Sequence, residues 1–191
     1  MAEPEHDYVS RGGLKLAAAL DAYEIDPSGA VCADLGCSTG GFVDVWLRRG
    51  AARVYAVDTA YGELAWRLRQ DPAVSVMERT NALHAPGSGN CAFVSVDLGW
   101  TKMERAVPAA LRWLTDDAAG RLVTLIKPHY ESGRHRLGDD EADAVTAGVV
   151  ESVSGSLGVE ALGWMRSPIR GGKGKNLEHL AVWRRRPGVA S

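Results

Sequence analysis

The chain has 191 residues, 46% of them hydrophobic and 24% charged, with a formal net charge of −2. That length suffices for one domain with a full core, and that charge excludes a global basic field drawing the whole surface onto nucleic acid. Cys32, Cys37 and Cys91 are odd in number and show no metal-type pairing, so buried reduced thiols, no metal and a cytoplasmic setting are expected.

No apolar run approaches the length of a membrane span, and the acidic, polar start MAEPEHDY does not read as a signal peptide. Residues 1–9 read as a loose arm, 10–186 as one folded domain and 187–191 as a tail. From Ser10-Arg11-Gly12-Gly13 a helical pattern places Leu16, Leu20 and Tyr23 on one face, with Lys15 near its start.

The organising stretch follows: VCADLGCSTGGF, residues 31–42. An apolar run passes through Asp34, Gly36, Ser38, Thr39, Gly40 and Gly41 into a helix with Phe42, Val45 and Trp46 on one face. Strand, glycine loop and helix build a ligand crevice at the strand tips of an open parallel sheet. About seventeen residues after Gly41, a second apolar run, Val54–Val57, ends at Asp58. A carboxylate there can accept hydrogen bonds from both ribose hydroxyls of an adenosine.

The glycine spacing is G-x-x-x-G-G preceded by Asp34, not G-x-G-x-x-G. A dinucleotide needs its pyrophosphate on the helix N-terminus. An acid two residues before the first glycine better suits the aminoacyl end of S-adenosylmethionine, which has no phosphate. A dinucleotide site and a turn whose glycines serve packing alone are the alternatives.

Further on, strands and helices alternate: strand 53–57, helix 62–69, strands 74–77 and 92–96, a helix near 103–114, strand 121–126 and helix 139–156. Two last strands, 159–165 and 177–183, flank the loop Arg170-Gly-Gly-Lys-Gly-Lys175. Alternation predicts an α/β fold with a mostly parallel sheet covered on both faces; a final connection without a helix predicts an antiparallel last strand. Charge follows apolar strand directly at Asp97 and Lys127, and Glu178 stands just after the glycine-lysine loop. Asp97 and Lys127 should face the crevice that Asp34 and Asp58 outline. A structural Asp97–Lys127 ion pair is the plain alternative.

Taken in order, SRGGLKL, DLGCSTGGF, AVDTAYGELAWRLRQDPAVSVMERTNA, VDLGW, LIKPHYE and GKGKNLEHLAVW resemble the FtsJ-like RNA methyltransferase family, in particular its haemolysin A branch of ribosomal RNA 2′-O-ribose methyltransferases. The resemblance runs from about Tyr8 to Trp183. It implies a Rossmann-like methyltransferase fold of seven strands, S-adenosylmethionine as donor, an RNA partner and a Lys-Asp-Lys-Glu tetrad falling on Lys15, Asp97, Lys127 and Glu178. It places Gly36, Ser38, Gly40, Gly41 and Phe42 around the methionine moiety, Asp58 on the ribose, Asn81 at the adenine edge and Asp97 near the donor methyl. In the chemistry this implies, Lys127 acts as base or orienting group for the hydroxyl, and Lys15 lowers the Lys127 pKa.

The chain departs from the branch in three ways. With the motifs starting at about Tyr8, an N-terminal S4-like RNA-binding domain is not expected in these residues; the chain reads KPHYE where KPQFE is frequent, and LGWTKM follows Asp97 in place of a serine-rich run. RNA is therefore expected on Arg11, Arg134, His135, Arg136, Arg170, Lys173 and Lys175, or on a separate RNA-binding partner. The alternatives are methylation of another hydroxyl, on a small molecule or nucleotide, and a non-catalytic donor-binding or haemolysin-like role. The latter finds no cationic amphipathic segment or apolar span to support it.

Overall fold

The computed structural model describes residues 6–172 and 174–186. In chain order the elements are α1 (Gly12–Ala22), β1 (Val31–Leu35), α2 (Gly41–Arg48), β2 (Arg53–Val57), α3 (Trp66–Arg69), β3 (Val74–Met77), β4 (Phe93–Val96), α4 (Met103–Leu111), β5 (Arg121–Ile126), α5 (Pro128–Glu131), α6 (Asp139–Ser156), β6 (Val159–Arg166) and β7 (His179–Arg185). The strands form one seven-stranded sheet in the order β3-β2-β1-β4-β5-β7-β6. β7 runs antiparallel to both its neighbours and the remaining pairs are parallel, as the missing helix between the last two strands predicts.

The central strands are apolar on both faces because helices cover both. On one face Cys32, Val54 and Val123 pack with Leu16 and Leu20 of α1 and with Phe42 and Trp46 of α2. On the other, Ala33, Leu35 and Val94 pack with Met103 and Val107 of α4 and Val153 of α6. The three cysteines are buried and free, as expected. No helix among the described residues is long and apolar enough to cross a membrane.

Helix α6 has the bounds its sequence predicts. Asp139, Asp140 and Glu141 fill its first turn, where the helix dipole favours negative charge, and the Glu141 carboxylate accepts the Gly138 N–H at 3.1 Å. The helix expected over 62–69 is shorter. Ala65 is extended (φ −53°, ψ 136°), its N–H donates to the Thr39 carbonyl, and Gly62 N–H donates to Glu78, so the first turn is given over to tertiary bonds. The helix expected near 103–114 closes at Leu111, and β7 opens two residues later than expected, leaving Glu178 just ahead of it.

Two glycines, Gly13 and Gly41, let α1, α2 and the segment ahead of α1 approach closely. A β-carbon on Gly41 would stand 2.4 Å from Ser10 Oγ and 2.9 Å from the Gly13 nitrogen, and one on Gly13 would stand 2.6 Å from the Tyr8 ring. Asp44, buried within α2, accepts the Val9 N–H at 2.9 Å and pairs with Arg48 and Arg67. Tyr8 and Val9, read from the sequence as part of a loose arm, are thus tied to α2, and α1 is set so that Lys15 points toward the start of β7.

Candidate active site

The C-terminal tips of β1, β2 and β4 open into a cleft of about 360 Å³ lined by Gly36, Ser38, Asp58, Asn81, Asp97 and Gly99, among others. Gly36 has a left-handed backbone (φ 89°), and a β-carbon on it would lie 2.3 Å from the Asp97 carbonyl oxygen. Only glycine lets the loop after β1 close onto the end of β4. Asp58 holds the same loop: its carboxylate accepts the N–H of Ser38 at 2.7 Å and of Ala60 at 2.8 Å. Each oxygen keeps acceptor capacity for a ligand hydroxyl. Asn81 makes the turn that its type favours, accepting the Leu83 N–H at 2.9 Å on Oδ1; its amide NH₂ is what remains for the cleft.

The other residues singled out in this loop lie elsewhere. Thr39, Gly40, Gly41 and Phe42 do not line the cleft; Phe42 is in the core, and Gly41 meets α1. Asp34 lies beneath the floor. It is fully buried, accepts the Ser95 hydroxyl at 2.7 Å, and Ser95 in turn accepts the Trp46 indole N–H at 2.9 Å. Burial, with the nearby Asp97 and Asp58 charges, outweighs the Ser95 bond and pushes the Asp34 carboxyl up to about 8. Thr59, Thr80, Leu98 and Thr101 also line the cleft; sequence reasoning missed them, although each lies within four residues of a residue it did name.

The lining decides which ligands fit. It carries two carboxylates, Asp58 and Asp97, and no lysine or arginine. A diphosphate would find no cation in that lining and would face the Asp58 carboxylate, whereas an adenosine carrying a cationic centre meets a favourable field. A dinucleotide does not fit this lining.

Beside the cleft, the four residues read as a tetrad come together as two ion pairs. Lys127, at the end of β5, pairs with Asp97, at the end of β4; Lys15 of α1 meets Glu178 at 2.5 Å. Lys15 and Glu178 are buried to 8% and 5% exposure, so neither could lose its partner cheaply. Pro128 follows Lys127 at the first position of α5, ending the strand so that the lysine stands at its tip. Burial acts against the Lys127 charge, but Asp97, Glu178 and Tyr130 together prevail and its pKa is raised. The expectation that Lys15 lowers it is not met: the charges that act on Lys127 are those of Asp97, Glu178 and Tyr130, and Lys15 is held in its own pair with Glu178.

Of the basic residues expected to meet RNA, Arg136, Arg170 and Lys175 line an open groove of about 640 Å³ with Asn176. Arg134 and His135 line a smaller cup with Trp100 and Tyr130. Arg134 also pairs with Glu141, and Arg170 with Asp139. The Arg11 guanidinium lies near Gly172; Lys173 lies outside the described residues.

A sheet of this order with a ligand cleft at its first two strand tips defines the class: a Rossmann-like, S-adenosylmethionine-dependent methyltransferase fold. A methyltransferase of that class from Mesorhizobium loti superposes with a TM-score of 0.63 over 88% of this chain and 96% of its own, at 15% identity, which speaks for the fold alone. The family model for FtsJ-like methyltransferases matches residues 8–177, and the chain belongs to that family. It is 39% identical to the 16S/23S rRNA (cytidine-2′-O)-methyltransferase TlyA of Mycobacterium tuberculosis over 96% of this chain and 70% of the relative. The solved structure of a hemolysin-like protein from Streptococcus thermophilus is 36% identical, with a TM-score of 0.85 over 97% of this chain and 70% of that one.

Proposed function

We propose that the chain transfers a methyl group from S-adenosylmethionine to a ribose 2′-hydroxyl of RNA, with ribosomal RNA as the acceptor, and that residues 10–186 act as one catalytic domain. The observation that carries this reading is the convergence of Lys15, Asp97, Lys127 and Glu178 as two buried or half-buried ion pairs at the edge of an acidic cleft. The activity named for the Mycobacterium tuberculosis relative supports the acceptor, and the open groove, where Arg136 and Lys175 stand beside the Arg170–Asp139 pair, offers cations to a phosphate backbone.

The donor, when bound, supplies an electrophilic methyl carbon on a sulfonium. Asp58 would take the ribose hydroxyls, Asn81 would offer its amide N–H to the adenine, and the Gly36 loop would receive the methionine end. Asp97 would add negative charge to favour the sulfonium, and it holds the Lys127 amine in place. Lys127 accepts the 2′-hydroxyl proton at Nζ as the oxygen attacks. Lys15, fixed by Glu178, steadies the oxygen as it gains negative charge. Much of the acceleration comes from alignment, since two lysines on separate elements can hold one hydroxyl in line with the cleft.

Incubation with methyl-labelled S-adenosylmethionine and unmodified ribosomal RNA tests the reading. Label recovered as a 2′-O-methylnucleotide is expected. Donor binding with no label in any RNA would show that the acceptor lies elsewhere.

A further inference from the structure

Arg112 closes α4 as its C-cap residue at an exposed position, and the loop that carries Asn81 is wound around it. Asn81 opens a single turn: its carbonyl accepts the N–H groups of His84 and Ala85 at 2.9 and 3.0 Å, and its Oδ1 accepts that of Leu83 at 2.9 Å. A turn of this kind leaves its later carbonyls without partners of their own. One guanidinium takes three of them. Arg112 Nε donates to the Ala85 carbonyl at 3.0 Å, and Nη2 donates to those of Leu83 at 2.8 Å and Ala82 at 3.2 Å. Ala82 and Ala85 are buried, so their carbonyls would be costly to leave unpaired. The loop then meets the Arg112 main chain as well. Gly89 N–H donates to the Arg112 carbonyl at 3.0 Å, and Gly87, left-handed at φ 78°, passes so close that a β-carbon on it would stand 2.2 Å from that oxygen.

Two links carry this clasp to the cleft. Ala82 and Leu83 line it beside Asn81, whereas Arg112 lines a separate cavity of about 440 Å³. Leu83 is held at both ends, its carbonyl by Arg112 and its N–H by Asn81 Oδ1. With Oδ1 engaged, the Asn81 amide presents N–H donors alone to a base. We infer, resting on the reading of the cleft as the S-adenosylmethionine site with Asn81 at the adenine, that Arg112 is a positioning residue for donor selectivity: it holds the turn that keeps Asn81 Oδ1 engaged, so that the Asn81 N–H meets a nitrogen of the six-membered ring of adenine. The planar fork of an arginine reaches three carbonyls at once, which the single ammonium of a lysine does not.

The test uses S-adenosylhomocysteine and its 1-deaza and 3-deaza analogues, each lacking one acceptor nitrogen of that ring. Calorimetric titrations compare the wild type with Arg112→Met and Arg112→Lys, and denaturant melts follow folding. The wild type should bind one of the two analogues about tenfold more weakly than S-adenosylhomocysteine, the size of one hydrogen bond. Arg112→Met should bind S-adenosylhomocysteine about tenfold more weakly than the wild type does and no longer tell it from either analogue. Arg112→Lys should restore part of both the affinity and the discrimination, and it carries the comparison should methionine prevent folding. A purely structural role would lower all three affinities in step and leave their ratios as in the wild type, which would overturn the inference while the donor reading stands. If the wild type binds S-adenosylhomocysteine and both analogues equally, no ring nitrogen is read; the placement of Asn81 at the adenine then falls, and the role of Arg112 with it. If the wild type does not bind S-adenosylhomocysteine, the donor reading itself fails.

Discussion

Gly36 and Asp97 touch through main-chain atoms: a β-carbon on Gly36 would sit 2.3 Å from the Asp97 carbonyl oxygen. Through this contact the glycine loop after β1 and the acid after β4 become one wall of the cleft, and Asp97 is at the same time the partner of Lys127. Gly36→Ala must displace main chain at that wall and also places alanine at φ 89°. It should weaken donor binding at least about tenfold and cost roughly 2 kcal/mol or more in stability. Gly29→Ala, at φ 70° with open space around it, should cost only about 1 kcal/mol and leave donor affinity intact. Calorimetric titration and denaturant melts of the two variants make the comparison.

The Lys15–Glu178 pair is buried enough to betray itself in a mutant cycle. Lys15→Met leaves a carboxylate at 5% exposure without its partner, and Glu178→Gln leaves an ammonium at 8%. Each single change should cost about 3 kcal/mol, and the double variant less than the two together. Urea unfolding of all four proteins gives the coupling. Additive losses would mean that the pair is not coupled in solution.

Lys127 must be neutral to take a proton, yet Asp97, Glu178 and Tyr130 raise its pKa against the effect of burial. The neutral fraction is therefore small at neutral pH and grows about tenfold per pH unit. Single-turnover methylation should rise with pH through the neutral and mildly alkaline range, levelling only near or above the ordinary lysine value. A rate flat across that range would assign Lys127 to orienting the hydroxyl alone.

Asp34 gives a stability signature of its own. Its folded pKa, about 8, lies above its ordinary 3.8, so between those values the folded chain binds a proton that the unfolded chain does not. The favourable contribution is complete below about 4 and is lost as pH rises toward about 8, at no more than about 1.4 kcal/mol per unit. Asp34→Asn keeps an acceptor for the Ser95 hydroxyl and has no such slope. Its stability relative to wild type should grow from pH 5 to pH 8 in denaturant melts.

His179 has the opposite sign. Burial lowers its pKa even though Asp143 accepts from or pairs with it at 2.7 Å, and Thr146 meets its other nitrogen at 2.9 Å. Its contribution is complete above the ordinary histidine value and is lost as pH falls below it. His179→Asn should flatten the loss of stability between about pH 6.5 and pH 5, measured by thermal melts across that range.

Much of this fold could be read from the sequence where local and tertiary preferences agree. Helix α6 carries its acidic first turn, its capping glutamate and its apolar spacing within its own residues, so its ends match. Asp58, Asp97 and Lys127 stand at strand tips because apolar runs stop there, and a parallel sheet collects such tips on one edge. The sequence was silent where distant residues decide. Nothing local says that Ala65 gives its N–H to Thr39, shortening α3, or that Asp34 faces Ser95 beneath the cleft floor. The Trp100–Tyr130 stack joins a loop to helix α5 thirty residues on, and in the sequence these positions stand out only as departures from the pattern of the family.

The most direct test of the central claim is a single-turnover methylation of ribosomal RNA by the wild type and Lys127→Ala, both saturated with S-adenosylmethionine, with the product digested to nucleosides. The account predicts a 2′-O-methylnucleoside from the wild type and a rate at least about a hundredfold lower in the variant, at unchanged donor affinity. Equal rates, or label on a base in place of the ribose, would contradict it.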